Sequence, residues 1–364
     1  LNLADADDAE YADEADATLG LYLGYDGVLF CQSSGNQRST KLGRQLLDLW
    51  LFSAAAYSID QSVSNTTNMH TKLVTALTDC GIHPSVTMLA NYNFQSVVTF
   101  SSNDDSRAYL ATYQKGNGDT ARFLVFKGTT MESISNWNTN LEATKTSLDD
   151  KGMAKCSTGK VHKGFYDAWT TLADSIMAEL ESAIVPNIDR GDVTSSSHSL
   201  YITGHSLGAA LATIATCAIT SKMSPGGNLY DHFTDVHFAT FGSPRVFDSR
   251  AAEAFHTKVI GMLRNGIYYR VTHKQDIVPD VPSRLFLEYQ HVGTEYWFDD
   301  NKNPPTAATK ICAWSHDDEY SVHDFHLRRI YPCYRGSLTL SVEDHLNYFG
   351  LKNSCPSLLV AENG

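Results

Sequence analysis

The sequence predicts an α/β fold: a mostly parallel central sheet covered by helices on both faces. Three observations carry this. Short β-prone runs alternate with long helical ones along the chain. A strand, a tight turn and a helix follow one another in "YITGHSLGAALAT", residues 201–213. Hydrophobic residues make up 42% of the 364, enough to bury one large core or two smaller ones.

The elements can be justified in order. Residues 41–59, "KLGRQLLDLWLFSAAAYSI", carry apolar side chains at helical spacing. "QSVVTFSS", "RAYLATYQK" and "ARFLVFKG" read as successive strands of a meander, with "KGNGD" as the hairpin turn between the last two. Residues 164–184 form a long helix that Pro186 stops. The strand–turn–helix unit comes next, then the strand "VHFATFG", a helix around "SRAAEAFHTKV" and the strand "GIYYRVTH". There is no internal repeat and no long linker. Residues 20–364 are expected to form one domain.

Net charge is −13, and seven of the acidic residues lie in the opening "LNLADADDAEYADEADA", leaving −6 for the rest. With no Lys or Arg to balance them, residues 1–19 read as a solvated tail or the remnant of a pro-segment. An acidic body argues against nucleic acid as a partner, because phosphate contacts need basic patches. No apolar run approaches the length of a membrane span. The chain opens on Leu1, as a processed, mature protein would and as a truncated chain also would. Seven cysteines without a C-x-x-C pair, together with the sequon Asn65-Thr66-Thr67, point to a secreted, extracellular protein. The odd count leaves a free thiol, expected at Cys217, a small buried hydrophobe inside the Ala-rich helix.

Gly204-His205-Ser206-Leu207-Gly208 is a G-x-S-x-G pattern. A turn this sharp strains its central residue and needs neighbours without Cβ, which the two glycines supply. It lifts the Ser206 hydroxyl to the top of a sheet and aims a helix N-terminus at the same point. A hydroxyl of ordinary acidity needs a base, and the base an orienting carboxylate, in the chain order Ser, acid, His. Asp276 follows the β-prone "YYRVTH"; its competitor Asp280, between Pro279 and Pro282, lies further from the strand end. His345, in "SVEDHLNYFG", precedes an aromatic run that would anchor its loop. His273 is too close to Asp276 to partner it, while His316, His323 and His326 lie in a polar insertion. Spacings of 70 residues from Ser206 to Asp276 and 69 from there to His345 leave room for intervening sheet elements. His323 and His326 read as part of a hydrated loop, since no tetrahedral metal set is spaced around them. Neither a metal nor a cofactor is expected.

"TGHSLGAALA", "FATFGSPRV", "YYRVTHKQDIVP", "GTEYW", "DHLNYFG" and "VHKGFYDAW" together resemble the fungal class 3 lipases, a group of triacylglycerol lipases and feruloyl esterases. "FLVFKGTT" matches as well, with Lys127 where the family usually has Arg. The resemblance implies an α/β-hydrolase fold with a Ser206–Asp276–His345 triad. It also implies an oxyanion hole built from the backbone N–H groups of Leu207 and Thr129, with the Thr129 hydroxyl as a further donor. In the next segment Ile134, Trp137 and Leu141 fall on one helical face, opposite Asn136, Asn138, Asn140 and Glu142. The family keeps a lid here, a cover that opens toward a lipid surface. The family's disulfide-closed loop suggests a Cys312–Cys333 pair, and Cys355 would tie back to Cys31 or Cys80. The family's usual N-terminal partner position is Ser58.

The function expected is secreted carboxylic ester hydrolysis, as a triacylglycerol lipase acting on lipid at an oil–water interface. A feruloyl-type esterase or a phospholipase A1 on the same scaffold remains open. From another class, so does an inactive binding protein with a lipase fold.

Overall fold

A computed structural model describes residues 31–34, 41–58, 92–102, 106–129, 144–148, 152–182, 197–223, 228–263, 266–282, 287–298, 309–312 and 341–348. The acidic tail, the sequon at Asn65, the lid residues Ile134, Trp137 and Leu141, the loop holding His316, His323 and His326, and Cys80, Cys333 and Cys355 lie outside the described residues.

The strands are β1 (Cys31–Ser34), β2 (Tyr92–Ser101), β3 (Arg107–Lys115), β4 (Thr120–Phe126), β5 (Lys145–Ser147), β6 (Lys160–His162), β7 (His198–His205) and β8 (Asp235–Phe241). They continue as β9 (Phe247–Asp248), β10 (Tyr268–His273), β11 (Tyr289–Gln290), β12 (Thr294–Phe298) and β13 (Thr309–Cys312). The helices are α1 (Lys41–Ala55), α2 (Lys163–Ser182), α3 (Leu207–Lys222), α4 (Asn228–His232), α5 (Ser249–Ala254) and α6 (Val342–Leu346). Among the described residues nine strands form the main sheet in the order β1-β13-β12-β10-β8-β7-β4-β3-β2. Its centre, β12-β10-β8-β7-β4, is parallel, and the flanks are antiparallel. The sequence meander is the flank β2-β3-β4, closed at Lys115 and Gly118 by a turn whose glycine has φ 94°. A second sheet, β11-β9-β6-β5, has strands of only two or three residues.

Alternation along the central strands sorts the core into two layers. Leu124, Phe126, Leu200, Ile202, Val236 and Phe238 pack against α2 and α3, whereas Phe123, Val125, Tyr201 and Phe241 pack against α1. On the α1 face, Phe52, Phe123, Tyr201 and His237 form a run of stacked rings with centroids 4.1, 4.7 and 4.3 Å apart. Register explains it, since Phe123, Tyr201 and His237 are cross-strand neighbours. α3 is buried from Gly208 to Thr220, and its small side chains let it lie close to the sheet. The three threonines it buries, Thr213, Thr216 and Thr220, donate to the carbonyls of Ala209, Ala212 and Thr216.

Cys217 is not a free thiol. It forms a disulfide with Cys156, Cα to Cα 6.3 Å, on the face that α3 turns toward the segment before β6. A buried, small-residue surrounding suits a thiol and a half-disulfide equally, so helix context alone could not separate them.

Several histidines are held neutral, His162 buried and His232 and His256 half-buried. Burial, which penalises the charged ring, lowers His162 to about 4, and lowers His232 and His256 to about 3. Repulsion from Arg122 adds to the effect at His232. Below about pH 6.5 the unfolded chain therefore binds protons that the folded chain refuses. Stability present above that pH is expected to fall as pH drops toward 3–4. Chemical denaturation at pH 7, 5.5 and 4 checks this; a midpoint that stays constant contradicts it.

Candidate active site

Three elements end at one edge of the parallel sheet, and each delivers one side chain. β7 runs straight into α3 through Ser206, which has φ 58° and ψ −126°. That is a strained conformation for a residue with a Cβ. A Cβ on Gly204 would sit 2.4 Å from the Gly208 carbonyl oxygen, and one on Gly208 would sit 2.2 Å from that of Phe126. The turn therefore closes only with glycine at both positions. Leu207 opens α3, so its N–H has no intrahelical acceptor. The packing of Gly208 on Phe126 sets this helix start directly against the turn after β4, where Thr129 stands half-buried. The Thr129 hydroxyl has no partner among the described residues.

Asp276 lies just past β10, in a turn tied to the C-terminal segment. Ser341 N–H donates to the Gln275 carbonyl at 2.7 Å, and Ile277 N–H donates to that of Ser341 at 3.3 Å. Ser341 also caps α6, its side chain accepting from Asp344 N–H. This short helix carries His345 to Asp276. His345 Nδ1 lies 2.9 and 3.0 Å from the two Asp276 carboxylate oxygens, and both residues are fully buried. A buried carboxylate beside Nδ1 places the proton on that nitrogen and leaves Nε2 as an acceptor. Asp280 does not share this site; it faces Arg245.

Asp276 is held ionised. Burial opposes its charge, but attraction to His345, hydrogen bonds from His345 and the Tyr348 hydroxyl (2.6 Å), and the Val278 N–H (2.9 Å) together keep its carboxyl below the usual range.

β8 joins the two halves. Ser206 N–H donates to the Phe241 carbonyl at 3.0 Å, and the next residue, Gly242, packs against the acid and the base. A Cβ on Gly242 would stand 2.8 Å from both Asp276 Oδ2 and His345 Nδ1, and the residue has φ +55°. Within this arrangement Ser206 Oγ and His345 Nε2 are both buried, and neither has a partner among the described residues. Gly242→Ala is expected to cut kcat/KM about 100-fold by displacing the imidazole, with KM little changed. Steady-state kinetics checks this, and undiminished turnover contradicts it.

Beneath His345 lies a second ring. His205 stacks on it with centroids 4.3 Å apart and sits 2.9 Å, through Nε2, from the His345 carbonyl. Tyr57 OH lies 2.8 Å from His205 Nδ1. Burial, then repulsion from His345, holds His205 well below its ordinary pKa. Its neutral ring thus donates through Nε2 and accepts from Tyr57. Trp50 closes the floor, stacked on Tyr348 at 5.0 Å and edge-on to His205 at 5.1 Å.

The structure brings Ser206, Asp276, His345, Leu207 and Thr129 to one sheet edge. The sequence reading did not single out Gly242, His205, Tyr57 or Trp50. Among the described residues no group of three or more His, Cys, Asp or Glu could hold a metal, and no helix is long and apolar enough to cross a membrane.

A serine on a strained elbow and a histidine bound to a buried carboxylate, at one edge of a mostly parallel sheet, are arranged as in the α/β-hydrolase fold. The solved triacylglyceride lipase of Rhizomucor miehei superposes with a TM-score of 0.57 at 24% identity, covering 89% of this chain and 97% of that one. A family profile described as "Lipase (class 3)" matches residues 123–286. That matched segment, which runs from β4 past the turn after β10, is similar to the class 3 lipases. The chain is 29% identical over 231 residues to a secreted mono- and diacylglycerol lipase of Fusarium solani, covering 63% of this chain and 56% of that protein. It is 26% identical over 267 residues to one from Penicillium cyclopium, covering 72% and 73%. The chain thus matches little more than half the length of the Fusarium relative.

Proposed function

We propose that this protein is a secreted serine ester hydrolase that releases fatty acids from glycerides through an acyl-enzyme, as a triacylglycerol lipase. One observation carries the reading: Ser206 Oγ and His345 Nε2 are buried and unpartnered among the described residues, while Nδ1 of that histidine is committed to Asp276. Buried polar atoms without partners are costly, and here each is what the other's chemistry requires.

In this mechanism His345 Nε2 takes the Ser206 proton as Oγ attacks the ester carbonyl. Asp276 holds the ring and stabilises the imidazolium. The Leu207 and Thr129 N–H groups receive the tetrahedral oxyanion, with the Thr129 hydroxyl as a third donor. His345 then protonates the departing alcohol, and water, activated by the same nitrogen, releases the acid. Ile134, Trp137 and Leu141 are assigned to contact with the acyl chain. The secreted relatives and the Cys156–Cys217 disulfide support export through an oxidising compartment.

Hydrolysis of glycerol esters of rising chain length, below and above their solubility, tests the substrate class. A jump in rate once an interface forms is expected. Turnover that falls steadily from butyrate onward, with no jump, points to a feruloyl-type esterase. No hydrolysis of any ester leaves only a binding protein.

A further inference from the structure

β1 pairs with β13 antiparallel, in the register Cys31↔Cys312, Gln32↔Ile311, Ser33↔Lys310 and Ser34↔Thr309. Two of the seven cysteines therefore occupy directly opposed positions, although 280 residues lie between them. We propose that Cys31 and Cys312 form a cross-strand disulfide that fastens the N-terminal strand to the edge of the main sheet.

Opposed residues of antiparallel strands have Cα atoms about 4.5–5.5 Å apart, inside the roughly 4.4–6.8 Å that a disulfide spans. The backbone need not move to close the bond. Register is what makes the pair: a slip of one residue would set Cys312 against Gln32 and carry its side chain to the other face.

The strand also needs a fastening. Among the described residues β1 is the edge strand of the sheet, with β13 as its one neighbour, and reads "CQSS". Three of its four residues are polar, so apolar burial contributes little to holding it. Cys156 and Cys217 are paired in the same chain, and the proposed export through an oxidising compartment would suit a further bond of this kind.

The reaction is balanced as thiol–disulfide exchange. The two thiols give up two protons and two electrons to the disulfide of a thiol–disulfide oxidoreductase, which leaves as a dithiol. Cys312 can make only one such bond, so this pairing replaces the Cys312–Cys333 link implied by family resemblance. Cys80, Cys333 and Cys355 then remain, an odd set in which at least one thiol stays free.

Trypsin separates the alternatives. The first basic residue is Arg38, so Cys31 lies in peptide 1–38, whereas Cys312 lies in 311–328 and Cys333 in 330–335. After thiol blocking in acid and digestion without reductant, mass spectrometry is expected to find 1–38 joined to 311–328. The same link should persist in Cys333→Ser, and Cys31→Ser should leave Cys312 open to alkylation. A 311–328 peptide joined to 330–335, or Cys31 and Cys312 recovered alkylated from the wild type, overturns the proposal. Because the mapping uses the wild-type protein, failure of a variant to fold does not blunt it.

Discussion

Replacing Ser206 by Gly is expected to lower kcat by roughly 10⁴–10⁶ while making the protein more stable, by about 1–3 kcal/mol. The first effect follows from losing the nucleophile, which leaves only binding and oxyanion stabilisation to act on the ester. The second follows from the backbone. Ser206 holds φ 58° and ψ −126° because β7 must turn into α3 within one residue, and glycine adopts such angles without a Cβ to clash. Ser206→Ala separates the effects: it should match the glycine variant in lost activity but gain no stability, since Ala keeps the Cβ. Turnover of a soluble ester and urea denaturation of the three proteins check both. Activity retained by either variant contradicts the assignment of the nucleophile, and equal stability of the Gly and Ala variants contradicts the strain.

Asp276→Asn is expected to lower kcat about 10⁴-fold. In the wild type the carboxylate accepts from His345 Nδ1 at 2.9 and 3.0 Å, and this fixes the tautomer whose Nε2 is bare. The Tyr348 hydroxyl and the Val278 N–H also donate to Asp276, so the carboxyl has no freedom to turn away. An amide in this site keeps the shape but brings an N–H₂ group of its own. Val278 N–H donates to Oδ1 and Tyr348 to Oδ2, so an amide oxygen kept on the Val278 side puts N–H₂ on the other. There the Tyr348 hydroxyl must turn to accept; that donor also faces the ring and puts the histidine proton on Nε2. Turnover should recover partly at high pH, where hydroxide supplies the missing base, whereas KM should change little. A loss confined to KM contradicts this account, since it would place Asp276 in substrate binding.

The elbow was legible because it is a local pattern. Two glycines two residues either side of Ser206, between a β-prone run and an Ala-rich one, can arise from few other arrangements. The meander was legible for a similar reason, since "RAYLATYQK" coincides with β3 residue for residue. The groups that complete the site depend on contacts between distant segments. Gly242 is one glycine of 24 in the chain, and only the meeting of β8 with the Asp276 and His345 loops makes a Cβ there intolerable. His205 looks like filler inside G-x-S-x-G until the fold lays it under His345 and against Tyr57, 148 residues earlier. Cys217 was misread because its partner, Cys156, lies 61 residues away in a stretch without regular structure. The second sheet escaped notice because strands of two or three residues leave no periodicity to read.

The proposed chemistry rests on Ser206 being activated by an imidazole that Asp276 holds in place. The most direct measurement is the site and rate of covalent modification by a fluorophosphonate, read by peptide mass spectrometry. One adduct is expected, on Ser206, formed far more slowly in His345→Ala and Asp276→Asn. An adduct on another residue, or equal rates in all three proteins, would contradict the account.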